Sequence, residues 1–244
     1  MVTLDKTKLK SNHYWVMVLL NKLTKLRVIK FEGNQTVSIG PDFFKFLVKG
    51  INYVAKEGRQ IEKFQMNGIL GYNNNDDNLY PFLKPNTNLV SIDVSKSKLT
   101  KEDARALGKV LADFRQVREL NLNNSGLSTA QTKEIADGLM RAKQLEVLKL
   151  ANNPNMSTAL ENVIYNLAFS PKIRHIDLQD SKAGNSNVAE AIYKLIKISG
   201  AIEHLNLCNT GLQALLTAEF YKALGENKTL KYLNLACTSS VSSS

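Results

Sequence analysis

The stretch IEHLNLCNTGL, residues 202–212, sets a histidine, an asparagine and a cysteine at alternate positions. Side chains of an extended strand alternate between faces, so His204, Asn206 and Cys208 share one side. A histidine and a cysteine on one face are the raw material of a metal site, or of a nucleophile with its base. Distance argues against the nucleophile: four residues separate His204 from Cys208, about 13 Å at strand rise, too far for the hydrogen bond that activates a thiol. Convergence argues against the metal. Zinc needs ligands about 2.0–2.3 Å from one point. His204, Cys208 and the His175 and Asp177 of a similar upstream segment would instead project in parallel from a gently curved sheet. No glycine-rich phosphate loop and no G-x-S-x-G turn occurs. The sequence predicts no catalytic, cofactor-binding or metal-binding residue and no enzyme.

The elements that must carry these side chains repeat. On the pattern L-x-x-L-x-L, IEHLNL is one of eight units, starting at Leu26, Ile61, Leu89, Val117, Leu145, Ile173, Ile202 and Leu230. The spacings are 35, 28, 28, 28, 28, 29 and 28 residues. Each alternating segment predicts a short strand, followed by a polar turn such as NNSG (123–126) and then a helix. Thr100 and Ser128 are placed as N-caps. The apolar stripes are Leu107, Val110, Leu111 and Phe114; Ile135 and Leu139; Val188, Ile192, Leu195 and Ile196; and Leu216, Phe220 and Leu224. One such unit cannot bury both apolar faces. Stacked units can, with a parallel sheet on one side and helices on the other. The ninth position holds Asn34, Ile69, Ser97, Ser125, Asn153, Ser181, Thr210 and Thr238, mostly small polar residues suited to bonding turn backbone.

This pattern, with a full helix per 28-residue period, resembles the leucine-rich repeats of the ribonuclease-inhibitor type, over about residues 26–238. The resemblance implies an α/β fold: a right-handed solenoid, or horseshoe, with parallel strands concave, helices convex and about eight repeats of 28 residues. Residues 1–25 then form a partial leading repeat or cap, with a helix over 12–24, and 239–244 a serine-rich tail. Residues 69–88 are irregular: Pro81, Pro85 and the Asn/Asp run break any helix pattern. NNNDDN (73–78) lacks the Gly and the closing Glu of a calcium loop and reads as solvated loop. The last strand runs into ACTSSVSSS with no capping helix, so the expectation is that the native chain continues or a partner covers that end.

In-register strands turn equal positions into columns. Position two reads Arg27, Glu62, Val90, Arg118, Glu146, Arg174, Glu203, Lys231, a ladder of alternating charge from Arg118 onward that fixes register. Position three reads Val28, Lys63, Ser91, Glu119, Val147, His175, His204, Tyr232, and position five Lys30, Gln65, Asp93, Asn121, Lys149, Asp177, Asn206, Asn234. Imidazole and aromatic groups on a polar surface are good contact anchors. The expected partner-binding residues are Lys30, Lys63, Lys149, His175, Asp177, His204, Asn206 and Tyr232.

Charge and composition bound the function. Of the net +10, residues 1–63 carry twelve Lys or Arg against five acids, and the other 181 carry twenty against seventeen. A basic end favours an anionic partner. Two cysteines fit a reducing compartment, and the seven-residue apolar run YWVMVLL is too short to span a bilayer. The resemblance implies several roles. An acidic, Cys-rich ribonuclease inhibitor and a Ran GTPase-activating protein with an Arg in its first loop both fit poorly, since EGNQTVSIGPDF has no Arg. What remains is a non-catalytic protein–protein interaction scaffold in a large intracellular assembly, cytoplasmic and similar to ciliary or axonemal repeat subunits (those of the nexin–dynein regulatory complex) or to cytoskeletal ones. Its partners would be proteins with acidic surfaces such as tubulin, and no membrane. The alternatives are an RNA or ribonucleoprotein binding module using the basic N-terminal face, and a small-GTPase regulator.

Overall fold

The computed structural model describes residues 2–5, 14–33, 41–68, 70, 79–156 and 158–236. Within them, nine strands form one parallel sheet in chain order. They are β1 (Val2–Asp5), β2 (Val28–Glu32), β3 (Lys63–Asn67), β4 (Ser91–Asp93), β5 (Glu119–Asn121), β6 (Val147–Lys149), β7 (His175–Asp177), β8 (His204–Asn206) and β9 (Tyr232–Asn234). The helices between them are α1 (Tyr14–Lys22), α2 (Pro41–Lys56), α3 (Tyr80–Leu83), α4 (Lys101–Asp113), α5 (Thr129–Arg141), α6 (Ala159–Leu167), α7 (Ser186–Ile198) and α8 (Ala218–Glu226). The sheet is the concave layer and the helices the convex one. Eight strands are those the repeat predicts. The ninth, β1, pairs with β2 through Val2–Ile29 to Asp5–Glu32 and precedes α1.

The three-residue strands β4–β8 point their middle residue inward, and β2 and β3 their second and fourth. Ile92, Leu120, Leu148, Ile176 and Leu205 are fully buried there, in one apolar core with Leu107 of α4, Ile164 of α6 and Ile192 of α7. Full burial of such a side chain stabilises the fold by about 1.5–3 kcal/mol. After β3 to β8 the chain turns through a left-handed residue at position eight: Gly68, Lys96, Asn124, Asn152, Asp180 and Asn209, with φ between 52° and 66°. At Gly68 the requirement is also steric, since a Cβ would lie 2.6 Å from the Gly33 carbonyl oxygen.

Position nine does what its polarity implies. Asn153 is fully buried. Its Oδ1 accepts from the amides of Ser125 (3.1 Å) and Leu127 (3.0 Å), and its Nδ2 donates to the carbonyls of Leu122 (2.8 Å), Leu150 (2.9 Å) and Ala151 (3.2 Å). Ser97, Ser125, Ser181 and Thr210, also buried, donate to the carbonyls of Met66, Val94, Leu178 and Leu207. Asn34, Ile69 and Thr238, the loop at 73–78 and the tail from 237 lie outside the described residues.

The irregular unit keeps a helix after all. Pro81 does not break it. A proline is tolerated in a first helical turn, and Pro81 sits in that of α3, whose Phe82 and Leu83 are buried. Phe82 packs on Phe64 with ring centroids 4.1 Å apart. Asp103 of α4 holds this segment: Oδ1 accepts from the Leu79 amide (3.2 Å), Oδ2 from the Thr100 amide (3.0 Å) and hydroxyl (2.8 Å). Thr100 is the N-cap, as its sequence position implies, and Asp103 completes its capping box. Burial raises the Asp103 pKa, and the bonds from Thr100 and Leu79 oppose that shift.

Helix contacts differ along the stack. Between α4 and α5 the backbones touch: a Cβ on Gly138 would lie 2.2 Å from the Gly108 carbonyl oxygen, and one on Gly108 2.2 Å from that of Glu134. Between α7 and α8 the first turn is lost. A 3-10 turn (Gln213–Leu215) intervenes and α8 begins only after its N-cap Thr217. Leu216, expected in the helical stripe, is therefore outside the helix and half-buried.

Candidate interaction surface

The register places the predicted columns as read. His175 pairs with His204 and His204 with Tyr232, each across one strand step. Their rings stack: His175 and His204 centroids are 5.6 Å apart at 16°, and His204 and Tyr232 5.9 Å apart at 29°. The two histidines are half-buried, and Tyr232 at the end is 48% exposed. Burial lowers the His175 pKa. Lys149 on β6 and His204 lower it further, and Asp177 acts the other way.

Position five has a structural duty that the sequence reading missed. Asp93, Asn121, Asp177, Asn206 and Asn234 each accept, through Oδ1, the backbone amide two residues on, at 3.0–3.2 Å. This is the Asx turn that starts the bend after β4, β5, β7, β8 and β9. The signal was visible: five Asp or Asn in one column. Asn206 also donates to Gln179 at 3.2 Å. Asp177 and Asn206 therefore present only part of their polar capacity outward. Lys149 interrupts the series, and there the Ala151 amide donates to Asn123 Oδ1 at 2.8 Å.

Six of the eight expected contact residues, Lys149, His175, Asp177, His204, Asn206 and Tyr232, are gathered on β6–β9. Lys30 and Lys63 lie apart on β2 and β3, with Ser91 and Glu119 between. Lys30 is paired with Glu32 at 2.7 Å, while Lys63 is exposed. Around the patch, the position-two ladder forms a pair and a triad. Arg118 meets Glu146 at 3.2 Å, and Glu203 bridges Arg174 and Lys231. The hydrogen bond from Lys231, then that from Arg174, hold the Glu203 carboxyl below its usual range. Cys208 is a half-buried free thiol. Among the described residues no three His, Cys, Asp or Glu gather around one point, and no helix is long and apolar enough to cross a membrane.

No family model matches the chain. It is similar to the ribonuclease inhibitor of Sus scrofa, 26% identical over 155 residues, which cover 63% of this chain and 34% of the inhibitor. Its fold is similar to that of a chain in the crystal structure of the Rad7 and Elc1 complex in yeast. The TM-score there is 0.54 at 18% identity, over 91% of this chain and 59% of that one. The chain thus spans about a third of the length of the curated relative it matches. The named relatives are an inhibitor of an enzyme and a member of a protein complex, and the arrangement here, a polar sheet face with a ring-bearing strip, is compatible with protein binding. In period, in register and in its layer of strands against helices, the chain folds as an α/β leucine-rich-repeat solenoid, and in sequence it is similar to the ribonuclease inhibitor.

Proposed function

We propose that the chain is a non-catalytic scaffold that holds a protein partner across β7–β9, with His175, His204 and Tyr232 as anchors. The observation that carries this reading is the three-ring stack on an otherwise polar concave face. Each ring is braced by its neighbour, so little side-chain freedom is lost on docking. Lys149 and the Arg174–Glu203–Lys231 triad supply a polar rim around it. The similarity to an inhibitor and to a component of a two-protein complex supports a protein as partner.

The finer reading is a place in a large intracellular assembly, ciliary or axonemal like the nexin–dynein regulatory complex, or cytoskeletal, facing acidic surfaces such as tubulin. Its support is the basic first quarter of the sequence. An RNA partner has less support from the same region. Its charge is mostly Lys, without aromatic stacking platforms interleaved with Arg; Arg27 and Lys30 also lie near Glu62 and Glu32, which tempers both readings.

The test is affinity capture from a ciliated-cell extract with the wild-type chain and a His204→Ala/Tyr232→Ala double variant of matched melting temperature. Recovery of tubulin or another axonemal protein, reduced tenfold or more by the double variant, supports the reading. Equal recovery by both proteins removes the concave patch. Salt-labile recovery of RNA with no protein partner replaces the scaffold with the nucleic-acid reading.

A further inference from the structure

We infer that the groove between α7 and α8 is a second docking site, taking a partner segment that presents one bulky apolar side chain flanked by Lys or Arg. The groove exists because the first turn of α8 is replaced by the 3-10 turn, which leaves a cavity of about 320 Å³ between helices that are elsewhere in contact. Its floor is apolar and buried, Phe220 and Ala189, and its walls are Leu215, Leu216 and Tyr193. Leu215 is 36% exposed, an uncovered leucine beside a preformed cavity. That volume is at the small end for a ligand pocket, and suits one or two side chains of a peptide.

The rim says what flanks that anchor. Two carboxylates, Glu190 of α7 and Glu219 of α8, line the groove in a chain whose net charge is +10. Lys194 stands 3.6 Å from Glu190, but it also lies over the Tyr165 ring at 5.0 Å, on the side towards α6. Glu219 accepts its own amide and the Thr217 hydroxyl, which hold it ionised. The groove is therefore an apolar slot with Glu219 at its edge, while Glu190 is shared with Lys194 and with Lys197, which donates to the Tyr193 hydroxyl at 2.9 Å. It selects against acidic segments, the class that the rest of the surface favours. It lies on the helical layer, so a partner there leaves the strand-face patch free.

The experiment is a random-peptide display selection on the immobilised chain, followed by anisotropy measurements on the enriched peptide. The inference expects an apolar residue with Lys or Arg within two positions of it. It also expects binding weakened about tenfold or more by Leu215→Asp and by Glu190→Lys/Glu219→Lys, equivalent to about 1.4 kcal/mol, and unchanged by His204→Ala/Tyr232→Ala. Enriched peptides without a cation, or affinity indifferent to Leu215→Asp in a variant that melts like wild type, would overturn it. Self-association of the wild-type chain that Leu215→Asp abolishes would also overturn it, because the occupant would then be a second copy. Loss of peptide binding in the concave double variant would assign the peptide to the other face.

Discussion

The contact between α4 and α5 and the contact between α7 and α8 each join the helices of consecutive repeats, yet they are built in opposite ways. The first is closed until backbones touch, through Gly108 and Gly138. The second is held open by a missing helical turn, with a cavity of about 320 Å³ between its helices. Glycine marks both regions with opposite meaning. Gly138 is where no side chain fits, whereas Gly225 of α8 has nothing within 4 Å of where its Cβ would be. In a solenoid each unit leans only on its neighbours, so such differences stay local: a tight middle and a loose end coexist in one stack.

The largest expected effect lies in the tight middle. Asn153→Ala removes the group that satisfies the buried Ser125 and Leu127 amides and the Leu122 carbonyl. Each orphaned buried group costs about 1–3 kcal/mol, so a loss of about 3–5 kcal/mol is expected in chemical denaturation. Thr210→Val, nearer the loose end, removes one bond to Leu207 and should cost about 1 kcal/mol. Equal losses at the two sites would mean that the two regions do not differ in how they hold their turns.

Next comes Gly138→Ala. Alanine normally improves a helix over glycine by about 1 kcal/mol. Here its Cβ would meet the Gly108 carbonyl oxygen at 2.2 Å and the Gly108 Cα at 2.7 Å, so α4 and α5 must part. Overpacking typically costs about 1–3 kcal/mol; a net loss near 2 kcal/mol is expected, visible as a fall in melting temperature of roughly 4–8 °C. A melting temperature unchanged or raised would show that the helices are not in backbone contact.

These two sites also show how much could be read from sequence. Asn153 was legible, because one polar residue recurring at the ninth position of a 28-residue period has few explanations besides turn backbone. The core stripe, the register and the His175–His204–Tyr232 column were legible for the same reason: repetition averages out the ambiguity of any single strand. The glycine contact was not, since a lone glycine in a helical pattern does not say what approaches it. β1 was missed because only the last positions of the L-x-x-L-x-L pattern fall on Val2–Asp5, leaving its leading leucine without a residue to match. The Asx turns at Asp177 and Asn206 are hidden in any single strand, where an outward polar residue looks available for contact; only the whole column of Asp and Asn reveals them. The groove could not be foreseen: LQALLT continues the apolar pattern, and only packing decides that Leu216 stays outside α8.

A smaller effect tests the patch between these regions. His175 has a pKa below the ordinary imidazole value of about 6.5 because of burial, Lys149 and His204. The unfolded chain takes up this proton near pH 6.5 and the folded chain resists it. Unfolding is then coupled to proton uptake, so stability is complete above about pH 6.5 and is lost as pH falls through the folded value. The melting temperature should fall between pH 7 and pH 5, and less so in His175→Gln. A slope identical in the two proteins would place the titrating group elsewhere.

The smallest effect is the sharpest on the comparison, because it is the same substitution as in the middle and should carry the opposite sign. Gly225→Ala puts a methyl group where nothing lies within 4 Å, on an exposed face in the last turn of α8. The full advantage of alanine, about 1 kcal/mol in a helix interior, is diluted near a terminus, so a gain of a few tenths of a kcal/mol is expected. Paired thermal melts of Gly225→Ala and Gly138→Ala read this as a small rise against a clear fall. Two falls would mean that α8 is held as tightly as α5, and the groove beside it would then be closed in solution. A rise at 225 together with an undiminished affinity for groove-binding peptides would show that the open contact is a property of the loop before α8, and not of a weakly formed helix.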